Sequence, residues 1–176
     1  GIAGSISSKM TKTNVLSKII HRGPDAQQAY SRKRLWLGHT RLAILDLSDA
    51  GVQPMMSRDG RFVIVFNGEI YNHEKDGDYI LDMVDKYGPI EAPKHLDGIF
   101  AYVLHDYDEG EYYAVRDPVG VIPLYIGKRG KETWIASELK AISFCDEVSI
   151  IDPGHVVTKH KKIMYRPKYP SNPTGD

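Results

Sequence analysis

The sequence predicts an α+β fold in which two β-sheets pack against each other and helices border them. Short apolar or alternating segments, which are typical of β-strands, recur along most of the chain. Glycine, proline and asparagine separate these segments. Few stretches place apolar residues at helical spacing. Many short strands with few helices favour packed sheets with helices at their borders.

The first elements predicted are a strand, a helix and further strands. Residues 1–7 are predicted to form a strand, whose small residues allow close backbone packing. Residues 12–20 carry apolar side chains at helical spacing and are predicted to form a short helix. Residues 35–39 and 41–46 have the composition of strands, and residues 46–54 are predicted to form a loop.

The apolar run at residues 62–66 predicts a buried strand, because Gly60 and the pair Asn67-Gly68 flank it. Both residues of an Asn-Gly pair tolerate positive φ at low cost. A tight turn is therefore predicted at the end of this strand. The simplest interpretation of Asn67-Gly68 is a hairpin corner.

The next elements are a helix and a hairpin. Residues 80–87 place apolar side chains on one helical face and are followed by Gly88-Pro89, which predicts a helix ending there. Residues 99–106 and 111–116 alternate strongly enough to predict a hairpin across Asp108-Glu109-Gly110.

The last part of the chain is predicted to contain a second hairpin, a capped helix and a tail. Residues 124–126 and 133–136 are the predicted strands. Ser137 could cap a helix that continues to Ala141. Residues 159–176, first basic and then rich in proline, are predicted to form a linker.

Composition is that of a compact single domain. The chain has 176 residues, of which 41% are hydrophobic and 26% charged. Its net charge of zero gives no electrostatic argument for binding nucleic acid or an anionic membrane. No apolar run approaches the length of a membrane span, and no signal peptide is visible. The single cysteine excludes an internal disulfide and favours a cytoplasmic location. The scattered histidines predict no metal site.

Short motifs along the chain carry the functional signal. They are Gly1-Ile2-Ala3-Gly4, His21-Arg22-Gly23-Pro24-Asp25, Gly38-His39-Thr40-Arg41-Leu42-Ala43-Ile44-Leu45-Asp46, Asn67-Gly68-Glu69-Ile70-Tyr71-Asn72, Arg116-Asp117-Pro118-Val119-Gly120 and Ser137-Glu138-Leu139-Lys140-Ala141. In this order they resemble the glutaminase domain of glutamine-hydrolysing asparagine synthetase, a class II glutamine amidotransferase. The resemblance covers residues 1–154.

The resemblance implies an N-terminal nucleophile hydrolase fold, which is a four-layer α/β/β/α sandwich of two antiparallel sheets. It divides the chain into an amidotransferase domain at residues 1–158 and a linker at residues 159–176 that leads toward a synthetase domain. It also implies that L-glutamine is the substrate and that ammonia passes to that second domain. The synthetase domain would use ATP and Mg²⁺ to amidate aspartate, whereas glutamine hydrolysis needs no cofactor and no metal. A homodimer is possible.

In the family, the nucleophile is a cysteine directly before the position of Gly1, a residue that this sequence does not contain. Its thiolate attacks the glutamine amide, and its own α-amine accepts the proton. An α-amine titrates near pH 8 and a lysine near 10.4, so the amine is the better base at neutral pH. A polypeptide that starts at Gly1 cannot follow this route. The cysteine could be modified or disordered, it could have been removed or replaced, or the natural chain could lack it.

Cys145, the only cysteine, is far from Gly1 in the sequence. It is predicted to be a buried or half-buried apolar residue.

Asn67 and Gly68 are the predicted oxyanion hole. A side-chain amide and a glycine N–H, side by side at a rigid strand end, can stabilise the charge that develops on a tetrahedral intermediate. Glu69 is included among the predicted substrate-binding residues. It is expected to stabilise the turn and not to take part in the reaction.

Arg41 is predicted to bind the substrate α-carboxylate, because a planar guanidinium can form two parallel hydrogen bonds with a carboxylate. A surface arginine at a strand end is the alternative for an isolated arginine. The next four residues are expected to form part of the pocket wall, although core packing explains them equally well. These are Leu42, Ala43, Ile44 and Leu45.

Asp76 is predicted to bind the substrate ammonium group, with Asp78 as the alternative. Family members usually have a further helix and strand before this aspartate, whereas only Glu74 and Lys75 follow His73 here. Either this connection is truly short, or a stretch is missing from the sequence.

Two other motifs have mainly structural interpretations. Arg22 and Asp25 are expected to fix a loop over the pocket, with turn formation at Gly23-Pro24 as the alternative. Arg116 and Asp117 are expected to pair with each other at a sharp corner.

The preferred function is thus a glutaminase domain of the asparagine synthetase type. Two alternatives remain open. One is a catalytically inactive module that binds glutamine or docks a synthetase. The other is an amidotransferase domain that serves another acceptor.

Overall fold

A computed structural model describes residues 1–6, 13–42, 52–71, 73 and 75–168. Within these ranges the strands are β1 (Ile2–Ile6), β2 (Ala26–Arg32), β3 (Leu35–Arg41), β4 (Met55–Met56), β5 (Phe62–Ile70), β6 (Gly98–Asp106), β7 (Glu111–Arg116), β8 (Tyr125–Arg129), β9 (Glu132–Ala136), β10 (Glu147–Ile150), β11 (His155–Val157) and β12 (Lys162–Met164). The α-helices are α1 (Thr13–Ser17) and α2 (Asp76–Tyr87), and short 3-10 helices span Ile20–Arg22, Ala92–His95 and Leu139–Ala141.

The strands form two six-stranded sheets. The first has the order β10-β8-β9-β1-β3-β2 and the second β12-β11-β7-β6-β5-β4, and the strand pairs are antiparallel. Leu37 of the first sheet and Val65 of the second belong to one buried core between the sheets. Leu16 near the end of α1 packs on the outer face of the first sheet, and Ile80 and Val84 of α2 pack on the outer face of the second. This confirms the four-layer α/β/β/α sandwich.

Most predicted elements are present. The hairpin of β6 and β7 and the hairpin of β8 and β9 form as predicted, with ends within a few residues. The helix α2 ends at Tyr87 as predicted but begins earlier, at Asp76. None of the helices in the described ranges has both the length and the apolar character needed to cross a membrane.

The predicted turn at Asn67-Gly68 is wrong. β5 continues through both residues to Ile70 and pairs along its whole length with β6, with Gly68 opposite Phe100. Gly68 does have a positive φ of 125°. Its freedom lets the strand pass close to the carbonyl of Ile99, where any β-carbon would collide with the neighbouring backbone.

The predicted helix from Ser137 to Ala141 is also wrong. Only the short 3-10 helix Leu139–Ala141 forms. The Ser137 hydroxyl does not cap it and instead accepts a hydrogen bond from the Ile2 N–H at 2.8 Å.

The first predicted helix is shorter than expected, because α1 ends at Ser17 and a 3-10 helix follows at Ile20–Arg22. The first residue of that prediction, Lys12, and residues 43–51 of the predicted strand and loop lie outside the described residues.

Arg116 and Asp117 do not pair with each other. The buried Arg116 guanidinium donates to the carbonyls of Gly120, Ile122 and Ile151. The buried Asp117 carboxylate accepts backbone N–H groups of the following loop instead. Each of the two charged side chains thus binds backbone groups, and both sets of hydrogen bonds hold the corner.

The stretch predicted as a linker contains ordered structure. β12 (Lys162–Met164) pairs with β11, and the hydroxyl of the buried Tyr165 donates to the carbonyl of Arg116 at 2.8 Å. The N–H of Lys168 donates to the carbonyl of Lys94 at 2.7 Å. The folded part therefore extends to Lys168, beyond residue 158, and the division into domain and linker stays a prediction.

Candidate active site

A cavity of about 420 Å³ is formed by residues of both sheets, at the end where β1 begins and β5 ends. Six predicted site residues line it: Arg41, Leu42, Asn67, Gly68, Glu69 and Asp76. Ala43, Ile44 and Leu45 lie outside the described residues. Arg22, which is expected to fix a loop over the pocket, also lines the cavity. The remaining lining residues have no role predicted from the sequence: Gly1, His39, Thr40, Gln53, Phe66 and Ile99.

The start of β1 is held firmly on both sides. The Gly1 amine donates to the Thr40 carbonyl at 2.8 Å, and the Thr40 N–H donates to the Gly1 carbonyl at 2.8 Å. On the other side, Ser137 bonds the N–H and the carbonyl of Ile2. Ile2 lies opposite His39 in the β1–β3 pair, so a residue before Gly1 would lie opposite Arg41. Because side chains alternate along a strand, it would share the face of Ile2, which is directed between the sheets.

The surroundings of this chain start favour a neutral amine. Burial, together with Arg22, lowers the pKa of the Gly1 amine to about 5, although Glu138 opposes the shift. Glu138 in turn accepts hydrogen bonds from Arg22 at 3.3 Å and contacts the ring of His21 at 2.7 Å. The motifs around residues 22 and 138 therefore meet at the beginning of β1, although about 116 residues separate them.

Asn67 and Gly68 lie on the wall that the second sheet contributes. Asn67 follows Val63 and Val65 at alternate positions of β5, and those valines are in the core between the sheets. By this alternation the half-buried Asn67 amide also faces the space between the sheets. It makes no hydrogen bond to another side chain or backbone group in the described ranges.

Two groups of opposite charge lie on different elements of the cavity wall. Arg41 is the last residue of β3, and Asp76 is the first residue of α2. Burial raises the pKa of the half-buried Asp76; a hydrogen bond from the Ile70 backbone opposes the shift, and the charge of Glu69 adds to it. One cationic and one anionic group suit the carboxylate and ammonium groups of a free amino acid.

The connection before α2 is short in the folded chain. Only residues 71–75 separate β5 from α2. Asp76 nevertheless reaches the cavity, so the site contains a carboxylate without the longer connection expected from the family. Asp78 is exposed and lines a different surface groove.

His39 is a cavity residue that was not assigned from the sequence. Burial, followed by the chain terminus and Arg41, lowers its pKa to about 3. It is therefore neutral at physiological pH, and its environment already contains positive charge. The motif Gly38-His39-Thr40 next to Arg41 could have indicated that His39 is near the site. Its burial, however, depends on contacts with distant parts of the chain and cannot be seen in the motif.

Cys145 does not belong to this cavity. Its sulfur packs against Gly127, the residue is half-buried, and burial raises the pKa of its thiol to about 11. The predicted apolar role is confirmed. Among the described residues, no group of three histidine, cysteine, aspartate or glutamate side chains is arranged to hold a metal ion.

The chain is similar to several known proteins. Two family profiles, each described as a glutamine amidotransferase domain, match residues 1–75 and residues 73–144. A probable glutamine-hydrolysing asparagine synthetase of Schizosaccharomyces pombe is 37% identical over 201 residues, covering 98% of the chain and 36% of that protein. Glutamine-hydrolysing asparagine synthetase 1 of Saccharomyces cerevisiae is 38% identical over 156 residues, covering 79% and 27%. The chain spans about a third of the length of such curated relatives.

Solved structures share the fold at low sequence identity. The allosteric regulatory enzyme of purine biosynthesis matches with a TM-score of 0.76 and 17% identity, over 94% of this chain and 48% of the other. Glutamine phosphoribosylpyrophosphate amidotransferase from B. subtilis matches with a TM-score of 0.74 at the same identity and coverage. With the two profiles and the asparagine synthetase relatives, this shows that the chain belongs to the class II glutamine amidotransferase domains, with the N-terminal nucleophile hydrolase fold.

Proposed function

We propose that this domain hydrolyses glutamine to glutamate and ammonia, and that the ammonia serves the ATP-dependent amidation of aspartate by a synthetase domain. One observation carries the proposal. The start of β1, the pair Asn67-Gly68 and the charged residues Arg41 and Asp76 line a single cavity. These are the groups that a glutaminase needs to attack, stabilise and hold its substrate.

The proposed nucleophile is a cysteine directly before Gly1. The antiparallel register would place it opposite Arg41, with its side chain between the sheets. Its thiolate attacks the side-chain amide carbon of glutamine, and the α-amine accepts the thiol proton and passes it to the departing ammonia. Water then cleaves the thioester to glutamate and restores the thiol. Burial and Arg22 lower the pKa of the Gly1 amine, and we expect the same surroundings to favour a neutral amine one residue earlier, as this base requires.

Asn67 and Gly68 form the proposed oxyanion hole. The side-chain amide of Asn67 and the N–H of Gly68 would donate to the carbonyl oxygen as it becomes negative. Losing one such donor costs roughly 3 kcal/mol of transition-state stabilisation.

Arg41 and Asp76 are proposed to hold the substrate's α-carboxylate and α-ammonium. Asp76 is preferred to Asp78, because only Asp76 lines the cavity. Leu42 and Glu69 are the other predicted site residues in the described wall, and Leu42 is proposed as an apolar contact.

A second domain is proposed as the partner, because the curated relatives are about three times as long as the matched part. Seven of the nine large hydrophobic side chains that are exposed among the described residues lie at the cavity end of the sandwich. They are Leu42, Tyr71, Val119, Val121, Leu139, Ile150 and Met164. Ile150 and Met164 end their strands, Leu42 and Tyr71 directly follow strands, and the other three lie in the connections that follow β7 and β9; the strand registers bring all these strand ends to the same end of the sandwich. Such an apolar end favours docking of a domain that receives ammonia.

In this proposal, ATP and Mg²⁺ act in the second domain, and hydrolysis here uses neither. The proposed location is the cytoplasm. A homodimer stays a prediction.

The test is a glutaminase assay on the chain with a free cysteine placed directly before Gly1. We expect glutamate formation in that protein, and Cys145→Ser should not change it. Asn67→Ala should mainly lower kcat, and Arg41→Ala should mainly raise KM. Glutamine binding without hydrolysis would support an inactive binding module and overturn the proposal. Unchanged kinetics in both site variants would refute the assignment of these residues.

A further inference from the structure

Among the described residues, the second sheet has an edge beside the candidate site that is only partly covered by a strand. β4 contributes Met55 and Met56, which pair with Ile64 and Val63 of β5. β5 then continues for six residues beyond Ile64 and ends at Ile70. In the described part of the chain, its backbone groups on the β4 side therefore have no strand partner where β5 enters the cavity wall.

The side chain of Gln53 closes the first part of this edge. Its Oε1 accepts a hydrogen bond from the N–H of Phe66 at 2.6 Å. Gln53 is only 5% exposed and lines the cavity. This short, part-buried hydrogen bond replaces the strand partner that β4 does not supply at Phe66.

The bonded residue directly precedes the predicted oxyanion pair. Backbone N–H groups of a strand alternate between its two edges. The N–H of Phe66 is directed toward the β4 side, so the alternation directs the N–H of Gly68, two residues later, toward the same side. If β4 were longer, one of its carbonyls would accept the hydrogen bond of the Gly68 N–H. Gln53 instead accepts only the N–H of Phe66, and this leaves the Gly68 N–H available to a substrate.

We propose that Gln53 is a positioning residue for glutamine hydrolysis. It fixes β5 at Phe66 and thereby keeps the Asn67 amide and the Gly68 N–H aimed into the cavity. This inference rests on the proposed glutaminase function and deepens it. Preorganised donors stabilise an oxyanion without reorganising during the reaction, so an acceptor that fixes their strand acts on the chemical step.

Loss of the Gln53 acceptor should mainly weaken the stabilisation of the transition state and not the binding of glutamine. The predicted substrate-holding groups are on other elements, Arg41 on β3 and Asp76 on α2. Removing the Gln53 acceptor acts first on β5 at Phe66, directly before the two donors, whereas Arg41 belongs to the other sheet and Asp76 is bonded by the backbone of Ile70, four residues further along β5. We therefore expect a lower kcat with little change in KM.

The kinetic experiment uses Gln53→Met, which keeps the length of the side chain but removes the acceptor. The parent is the chain with a free cysteine before Gly1, and Gln28→Met on the exposed part of β2 is the matched control. We expect Gln53→Met to lower kcat by about 10-fold or more with KM within about 2-fold, and Gln28→Met to match the parent. In an Asn67→Ala background, Gln53→Met should cost less than about 3-fold, because the donor that it positions is already absent.

An equal loss of kcat in both backgrounds, or a change in KM alone, would overturn the role of Gln53. An inactive parent would refute the proposed function, and this inference with it, whereas an active parent with a fully active Gln53→Met variant refutes only the inference.

A second measurement does not depend on the variant folding. In the unmodified protein, hydrogen exchange should show protection of the Phe66 amide, although β4 ends before it. Exchange as fast as that of an unprotected amide would overturn the proposal.

Discussion

Replacing Gly68 with alanine tests how the candidate oxyanion hole is built. Gly68 has a φ of 125°, which a side chain rarely permits, and this strain costs about 1–3 kcal/mol. A β-carbon there would lie 2.0 Å from the Ile99 carbonyl oxygen and 2.7 Å from the Phe100 Cα. Both atoms belong to the backbone of β6, so β5 must move away by more than an ångström. Overpacking of this kind costs a further 1–3 kcal/mol, about the same again.

Gly88→Ala is the matched control. Gly88 also has a positive φ, of 82°, but a β-carbon there would meet nothing within 4 Å. It therefore carries the strain without the collision. Urea unfolding of both variants should show that Gly68→Ala lowers the free energy of unfolding by about 4 kcal/mol, and Gly88→Ala by about 2 kcal/mol.

The same pair of variants separates the site from the fold. In the chain with a free cysteine before Gly1, Gly68→Ala should lower kcat by about 100-fold, because the strand that carries both donors is displaced. Gly88→Ala, at the far end of α2, should retain the parent's kcat. Equal destabilisation by the two substitutions would refute the close approach of β5 to β6 as the reason for glycine at this position.

Three further substitutions test the electrostatics. The pKa of His39 is lowered to about 3 in the folded protein, whereas the unfolded chain accepts this proton near pH 6.5. The free energy of unfolding is therefore highest above pH 6.5 and decreases below it, by about 2 kcal/mol at pH 5. His39→Gln should abolish that loss in urea unfolding at pH 7.5 and 5, and an unchanged difference would contradict it. Glu138→Gln should lower the pKa of the Gly1 amine further, because Glu138 raises it; NMR titration of that amine in the chain that starts at Gly1 checks this, and a higher pKa would contradict it. Asp117→Ala should cost about 1–3 kcal/mol in thermal unfolding, because it leaves the loop N–H groups of Val119 and Gly120 without their acceptor; Asp152→Ala, at an exposed ion pair, is the control and should leave the melting temperature nearly unchanged.

Elements with a strong local pattern could be predicted from the sequence. The hairpin of β6 and β7 combines alternating apolar residues with a turn at Asp108-Glu109-Gly110, and its strands form close to the predicted ends. α2 was predicted because its apolar side chains recur at helical spacing and glycine follows. In both cases residues close together in the sequence determine the structure, because a turn and the apolar face of a helix are formed by such residues.

Asn67-Gly68 shows where local reasoning fails. The pair has a strong turn propensity, and Gly68 does adopt a positive φ. The nine-residue ladder with β6, however, keeps both residues in the strand. Pairing with a distant segment outweighs the turn preference, and the glycine is needed for a close approach instead.

The candidate site was predicted only in part for the same reason. Asn67 and Arg41 occur in recognisable motifs, and both line the cavity. Gln53 and His39 acquire their importance from burial and from contacts with other strands, which neighbouring residues do not reveal. Ser137 was interpreted as a helix cap, but its partner is Ile2, 135 residues away.

The two walls of the cavity are stabilised in different ways, and this has a functional consequence. β1 lies between β3 and β9, so both of its edges are paired and its first residue has little freedom. Among the described residues, the end of β5 has a strand partner on one edge, and on the other edge side chains bind it, Gln53 at Phe66 and Asp76 at Ile70. A nucleophile at the start of β1 would therefore keep its position through the stability of the whole first sheet. If Asn67 and Gly68 are the oxyanion donors proposed above, their position on this edge depends on Gln53, so the chemical step should be more sensitive than the fold to changes there.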